Sequence, residues 1–481
     1  MITIDGTNLS TAELLRIANG EKVQLSAVAS QKMDKNHGSI PTDIDILSQK
    51  RRWMLGESAN ASEFSTQDFI LAHCAGVGEL LSDQVVRAAM AARCNVLAQG
   101  HSGCRSVVAE ALIHDLNANI LAKVPSQGSV GAAGDLAPMA HIARTLCGLD
   151  GIERDRTPLT PEPKEALALI NGVSMSTAIA ALTIEKAWTI FEAFIWATAG
   201  SMEVILAQSQ CIDPSVLAIR GFPEPAEIGA VLRQILADSK RVQSNRRPDA
   251  FSIRSGPSVI GTALRSLRQT HHVIYEELNG CSDNPLCING QWLEAGHFHG
   301  AAISTAMDQL RVSLAQLGSL SERRTFRLTH GQLSEALPSF LIEGTGLNSG
   351  FMLAQYTAAA LSSEMKGLAH PASVDSIPTV QHHEDHVSMA PIAARLTSES
   401  TTCLADIVAI ELLLMAQGLD LRQQQDRKLH PAALSKIHAA IRTDVPFWND
   451  DHVLHPCISK IHNHIQCQTF SWPIPRLFLN Q

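Results

Sequence analysis

The chain has 481 residues with 38 basic and 47 acidic side chains, so its formal charge at pH 7 is −9. Apolar residues make up 45% and charged residues 18%, a balance that allows a large core and excludes a disordered chain. The slightly acidic charge gives no electrostatic reason to expect nucleic acid or an anionic membrane as a partner.

The N-terminus and the cysteines indicate a reduced, cytoplasmic protein. The segment Met1–Asp5 has no signal-peptide pattern, and no two cysteines form a CxxC pair. The ten cysteines are scattered along the chain: Cys74, Cys94, Cys104, Cys147, Cys211, Cys281, Cys287, Cys403, Cys457 and Cys467.

The first 66 residues predict short elements followed by a loop. Residues 1–6 alternate like a strand, and Ser10 with Glu13 resembles a capping box at a helix start. Residues 34–66 are polar and contain Gly38 and Pro41, which oppose helix, so we expect a long surface or active-site loop there.

Helical patterns dominate the rest of the chain. Residues 173–210 contain one glycine and no proline, and their charged residues favour one very long helix of a soluble protein over a membrane span. Residues 301–324 place apolar side chains at spacings of three and four. Residues 350–369 and 401–419 are apolar on more than one face, which indicates helices interior to a bundle or an oligomer.

Strand signals are few, so the sequence predicts a mainly α fold. Besides the N-terminal segment, residues 285–288 and 291–293 flank an Asn289-Gly290 turn and predict a hairpin. Glycine-rich corners at 128–134, 296–300 and 344–350 separate the helices.

The stretch 128–141 is the most informative part of the sequence. It reads GSVGAAGDLAPMAH, and its small residues let the backbone approach itself closely. A tight turn between helices explains this composition as well as a functional loop does.

In context, the stretch resembles the signature of the aromatic amino acid ammonia-lyase family, which contains histidine, phenylalanine and tyrosine lyases and related aminomutases. The similarity is greatest to the bacterial histidine enzymes. It extends in order through segments 71–78, 166–172, 282–286, 296–299, 318–324, 346–352, 368–376 and 384–389.

The resemblance implies a bundle of long antiparallel helices, of the fumarase/aspartase-like type, in a homotetramer. We expect an N-terminal domain over residues 1–172, with the glycine-rich turn, and a helical domain over residues 173–481. It also implies a small-molecule, amino-acid-like substrate and no nucleic acid or membrane partner.

The family makes its electrophile, a methylidene-imidazolone, from an Ala-Ser-Gly tripeptide whose serine loses its hydroxyl. Here the tripeptide reads Ala132-Ala133-Gly134. Ala133 has no β-oxygen to lose, so we expect this degenerate site to remain a linear peptide and the chain to use no cofactor.

Two tyrosines of the family pattern are also replaced. Phe251 occupies the first position of the Tyr-Ser-x-Arg segment, and the loop of the catalytic-base tyrosine is absent. Its nearest counterpart is the segment beginning at His37, whose imidazole would be a better base near neutral pH than tyrosine.

The resemblance leaves a polar pocket in which His37, His73 and Glu384 would be catalytic. Arg254 would bind the substrate carboxylate through its two-pronged guanidinium, and Asn171 would contact the amine or carboxylate. Asn284 and Phe251 complete the expected substrate-binding residues. Structural roles remain open: His73 as a hydrogen-bonded core histidine, Arg254 in an ion pair and Asn171 as a helix cap.

Histidine-rich segments suggest metal ligands, but we expect no metal site. On a helix, His382 and His386 would share a face, yet the family carries a similar Glu-Asp-His without metal. The C-terminal histidines and cysteines fit no zinc template, and a solvated helix explains them better. They are His452, His455, Cys457, His462, His464 and Cys467.

Three hypotheses for function follow. The first is a divergent lyase-like enzyme that acts by acid–base chemistry without the prosthetic group. The second is a non-catalytic pseudoenzyme or binding protein. The third is an inactive Ser→Ala variant of a histidine-type ammonia-lyase.

Overall fold

The computed structural model describes residues 1–38, 65–243 and 248–470. It is mainly helical, as the sequence predicts. The helices, in chain order, are α1 Thr11–Ala18, α2 Ala27–His37, α3 Thr66–His73, α4 Asp83–Ala98, α5 Ser106–Ala118, α6 Leu136–Leu146, α7 Pro163–Ile170, α8 Ser174–Val204, α9 Pro214–Ala218, α10 Pro223–Ile235, α11 Phe251–Arg254, α12 Gly256–Asn279, α13 Ala301–Thr329, α14 Met352–Leu368, α15 Ala390–Asp426, α16 Ala432–Asp444 and α17 Leu454–Gln466.

The strands form three small two-stranded sheets. β1 (Ile2–Ile4) pairs in parallel with β2 (Val23–Leu25), and β3 (Val77–Leu80) pairs antiparallel with β4 (Pro125–Gln127). β5 (Leu286–Ile288) and β6 (Gln291–Leu293) form the hairpin that the Asn289-Gly290 turn predicts.

Local signals place the first helix as expected. The Ser10 hydroxyl accepts a hydrogen bond from the Glu13 amide, and the Glu13 carboxylate accepts from the Ser10 amide, so the capping box is present. The expected loop over residues 34–66 is wrong at its start, because α2 continues to His37 and ends at Gly38. Residues 39–64 lie outside the described residues.

The described chain divides into two compact units, each assembled from three stretches. The first unit contains residues 1–185, 270–308 and 371–398, and the second contains 186–269, 309–370 and 399–481. The sequential division at residue 172 stays a prediction.

The first unit packs short helices around buried apolar side chains. α1 and α5 pack against α4, and α6 packs against α3 and α7. In α4, every residue from Val86 to Ala98 is buried, which explains why its sequence shows only a weak apolar stripe.

The second unit has a buried ionic centre among its long helices. Arg324 donates to both carboxylate oxygens of Glu411 at 2.6 and 2.8 Å, and both side chains are fully buried. Ser201 and Ser321 donate to the same carboxylate at 2.7 and 2.5 Å. The charge of Glu411 is therefore fully compensated by hydrogen bonds.

One described helix, α15, is long and apolar enough to cross a membrane by length and composition alone. In the structure, 89% of its most apolar window is buried. Such burial is typical of a core helix.

Candidate functional site

The glycine-rich segment 128–134 forms a tight turn immediately before α6. Gly131 and Gly134 have φ angles of +68° and +85°, which side chains with a Cβ rarely adopt. The Ser129 hydroxyl accepts a hydrogen bond from the Gly131 amide at 3.2 Å. Ala133, at the tip, is partly exposed, whereas both of its neighbours are buried.

The turn is joined to the segment between α7 and α8. Gly134 and Gly172 form a parallel bridge, in which the Gly172 amide donates to the Ala133 carbonyl at 3.3 Å. A Cβ on Gly134 would lie 2.2 Å from the Gly172 carbonyl oxygen. This close approach places Asn171 beside the turn. Asn171 is 1% exposed, and its Oδ1 has no hydrogen-bond partner within the described residues.

The segment before α15 supports the other side of the turn. The Ser388 hydroxyl donates to the Gly131 carbonyl at 3.0 Å, and the Met389 amide donates to the Val130 carbonyl at 2.9 Å. Ala132 packs against Val387 and Met389. The turn therefore has fixed supports on two sides.

The residues of the turn do not fit the methylidene-imidazolone that the resemblance implies. Residue 133 has no β-oxygen, so the dehydration that creates the methylidene has no leaving hydroxyl. The backbone of the turn is tightly packed, because Gly134 lies directly against Gly172.

Two carboxyl groups have raised pKa values: Asp135, directly after the turn, and Glu277, in α12. Neither of them was identified from the sequence. Asp135 is fully buried and accepts from the amide and hydroxyl of Ser176, each at 2.7 Å. Burial raises the pKa of Asp135 to about 6 despite these hydrogen bonds. Burial, with a smaller contribution from the Asp135 charge, raises the pKa of Glu277 to about 7.

His37 is the last residue of α2 and not part of a loop. Its Nε2 lies 2.9 Å from an oxygen of Glu162, which precedes α7. Within the described ranges, the ligand atoms of His37, Glu162 and Glu165 lie within 4.8 Å of one another. The Arg105 side chain donates to both oxygens of Glu165 at 2.9 and 2.6 Å, which makes this cluster an ion-paired network.

The structure gives His73 and Glu384 local partners. His73 ends α3, and its Nδ1 lies 2.7 Å from the Phe69 carbonyl oxygen. Glu384 is partly exposed and accepts from the Thr379 hydroxyl at 2.7 Å.

Arg254 and Phe251 belong to the second unit and form one surface feature. The guanidinium of Arg254 lies 4.9 Å from the centre of the Phe251 ring, in a cation–π contact. Both side chains are exposed, and Phe251 is 69% exposed. Arg254 is therefore accessible to an anionic group.

Asn284 is anchored beside a buried ionic group. Its side-chain Oδ1 accepts a hydrogen bond from the Ala295 backbone amide at 2.7 Å, and its backbone amide donates to the Asp283 carboxylate at 2.7 Å. Asp283 also pairs with Lys164 at 3.1 Å and Arg93 at 3.4 Å. Burial would raise the pKa of Asp283, but the charges of Lys164 and Arg93 together with hydrogen bonds from Ser102 and the Asn284 backbone amide lower it overall.

The helix that His382 and His386 would share does not form. Val380–His382 is a short 3-10 turn in which all three residues have positive φ, so the two histidines do not share a helix face. His386 instead lies 3.3 Å from His299, from its Nδ1 to the Nε2 of His299.

Comparison with known proteins assigns the chain to a family. The sequence model of the family described as aromatic amino acid lyase matches residues 57–443. The chain belongs to the aromatic amino acid lyase family. Histidine ammonia-lyase of Desulfotalea psychrophila is 40% identical over 99% of this chain and 98% of that protein. Histidine ammonia-lyase of Vibrio cholerae is 40% identical over 83% of this chain and 82% of that protein.

Solved structures agree with this aromatic amino acid lyase fold. Tyrosine aminomutase from Streptomyces globisporus has a TM-score of 0.88 and 29% identity, covering 98% of this chain and 97% of that chain. Histidine ammonia-lyase from Trypanosoma cruzi has a TM-score of 0.86 and 30% identity, covering 98% and 94%.

Proposed function

We propose that this chain is a lyase-like enzyme of the aromatic amino acid lyase family that acts without a methylidene-imidazolone. It would act on a histidine-like amino acid, or a derivative of one, by acid–base chemistry. The observation that carries the proposal is Ala133, which stands at the tip of the supported turn without the β-oxygen that the electrophile requires.

Without the electrophile, the enzyme can act on fewer kinds of substrate. An unactivated β-hydrogen is barely acidic, so the enzyme needs either an electrophile or a substrate that carries its own activation. A quaternary α-ammonium group stays cationic at every pH and leaves as a neutral amine. We therefore favour a substrate with a readily expelled α-nitrogen over unmodified histidine.

The role proposed for each residue follows from the charge and the hydrogen-bonding groups of its side chain. Arg254 would bind the carboxylate, because an anion taken from water requires a charged partner. Asn171 and Asn284 would orient the substrate near the turn, and Phe251 would cover it. His73 and Glu384 would act at the side-chain end as acid and base, with His37 as a further base. A homotetramer and a cytoplasmic location are part of the same proposal.

The test compares two probes with the purified wild-type chain. L-Histidine and its Nα-trimethylated derivative are incubated separately, and the conjugated imidazolyl acrylate product is followed by its absorbance. We expect turnover of the trimethylated probe and at least 100-fold slower turnover of histidine. The matched variant is Ala133→Ser, which returns the missing hydroxyl and leaves the rest of the turn unchanged.

Each alternative has its own result. Tight binding of both probes without product supports a binding protein and contradicts the proposal. Rapid turnover of histidine by Ala133→Ser alone identifies an inactivated histidine-type lyase and also contradicts it. We do not expect that rescue, because Phe251 and the missing base loop would still differ from the family pattern.

A further inference from the structure

A pair of histidines lies next to the supported turn and has no role in the site described so far. The Nδ1 of His386 and the Nε2 of His299 are 3.3 Å apart, and the two rings are tilted by only 23°. The ring centres are 5.3 Å apart, in a near-parallel arrangement. One nitrogen must carry the shared hydrogen and the other must accept it.

The backbone fixes both rings beside the turn. A Cβ on Gly300, the neighbour of His299, would lie 3.2 Å from the Ser388 Oγ. That hydroxyl donates to the Gly131 carbonyl, and Ser388 follows His386 by two residues. The Val387 amide is also held by the Ser376 hydroxyl at 3.0 Å. The pair is therefore anchored on the same segments that support residues 130–134.

The two rings differ in their access to water. His299 is half-buried and His386 is exposed. Burial, and then the charge of His386, lower the pKa of His299, which favours its neutral form. Within the described residues, His386 is the titratable side chain whose charge acts on His299. A half-buried ring thus contacts a ring that is exposed to solvent.

We propose that His299 and His386 form the proton-accepting pair of this site, with His299 taking a proton from the substrate carbon and His386 passing one to solvent. The inference rests on the proposed function and deepens it. It gives the removal of the β-hydrogen to His299, while His73 and Glu384 keep their acid–base roles at the side-chain end and His37, which pairs with Glu162, is not required as a base.

The proton path is balanced at each step. The nitrogen of His299 that faces away from His386 accepts the β-hydrogen as a proton. The electrons of that C–H bond form the Cα=Cβ double bond, and the Cα–N bond breaks as its electron pair leaves with the neutral amine. The hydrogen between the rings moves from His299 to His386, and the outer nitrogen of His386 releases its proton to water.

The experiment uses the full chain with Nα-trimethyl-L-histidine as the probe. His299→Asn and His386→Asn are compared with His382→Asn, a control in which asparagine tolerates the residue's positive φ of +67°. Turnover is measured from pH 5 to 9.

His299→Asn should lower kcat by about 10²- to 10⁴-fold, with KM changed less than about threefold. His386→Asn should move the acidic limb of the pH profile to higher pH, because removing the His386 charge raises the pKa of His299. His382→Asn should match the wild type.

The failures are distinguishable. If His299→Asn keeps the wild-type turnover and His386→Asn keeps the wild-type pH profile, the proposed role of the histidine pair is contradicted. The proposed function of the chain is not. No turnover of the probe by the wild-type chain contradicts the proposed function, and the role of the pair with it.

Discussion

Ala133 and Asn171 show how single atoms control what this site does. Ala133 lacks the β-oxygen that formation of the methylidene would remove, and we therefore propose that no prosthetic ring forms here. Asn171 has a buried Oδ1 beside the same turn, and no described residue forms a hydrogen bond with it. An unpaired buried acceptor is costly, which is consistent with a site that a bound donor completes.

Arg254 gives the first prediction at this scale. Arg254→Ala should weaken binding of Nα-trimethyl-L-histidine by about 2–5 kcal/mol, because the carboxylate loses its charged partner. Titration calorimetry measures the change. Arg220→Ala is the matched control, since Arg220 lies 6.0 Å from the Phe222 ring in the same kind of stacked contact. Equal affinities of the two variants would show that Arg254 does not bind the substrate carboxylate.

Asp135 gives the second prediction. Its folded pKa of about 6 is above the ordinary value of 3.8, so stability is fully present at low pH and is lost as pH rises through about 6. Asp135→Asn removes this penalty. The free energy of unfolding of the wild type, relative to the variant, should therefore fall by roughly 2.5 kcal/mol between pH 4 and pH 8.

Asp213→Asn is the control with the opposite sign. Asp213 also accepts from a serine amide and hydroxyl, those of Ser215, but these bonds lower its pKa. The stability that Asp213 contributes should appear, not disappear, as pH rises through its pKa. Parallel pH curves for the Asp135 variant and the wild type would show that Asp135 ionises normally in the folded chain.

The sequence names candidate residues but not their partners. Motifs single out Ala133, Asn171 and Arg254, which remain predicted site residues, yet nothing in the sequence pairs His37 with Glu162, 125 residues away. The contact between His299 and His386 joins residues 87 apart and is equally invisible in the sequence. Such pairings are tertiary contacts and have no local pattern.

Among the secondary-structure elements, the contact between the turn before α6 and the segment before α8 positions Asn171. Gly172 has a φ of +89°, and a Cβ there would lie 1.9 Å from the Ser282 carbonyl oxygen. No side chain can be accommodated without moving the backbone. The segment that carries Asn171 is therefore held against both the turn and the segment that carries Asn284.

Gly172→Ala should destabilise the chain by more than about 3 kcal/mol, because it combines backbone strain with a clash against backbone atoms. Gly151→Ala is the matched control, with a φ of +76° and nothing within 4 Å of its Cβ, and should cost about 1 kcal/mol. Thermal unfolding at one protein concentration compares them. Similar unfolding temperatures for the two variants would show that Gly172 is not close-packed.

The long helices were predicted well in their apolar parts and poorly at polar ends. The prediction for 401–419 is confirmed, but α15 begins at Ala390. Its first turns contain Thr397, Ser400 and Thr401, which are polar in sequence and completely buried in the structure. Hydrophobic patterning cannot detect buried hydroxyl groups, so it placed the helix start eleven residues late.

At the scale of the whole molecule, exposed apolar side chains point to further association. Leu347 is 94% exposed and Val374 is 75% exposed. Large apolar groups left in water favour burial against another surface. We predict that the chain is a homotetramer, which sedimentation equilibrium measures directly. A monodisperse monomer of 51.9 kDa would contradict this prediction.

The mass of the purified intact chain shows directly whether residues 132–134 have formed a ring. A chain with a linear Ala132-Ala133-Gly134 has the mass that its sequence gives, and the near-ultraviolet absorption of the methylidene ring is absent. The account predicts that result for the wild-type protein. A mass lower by the two waters that ring formation releases would contradict it.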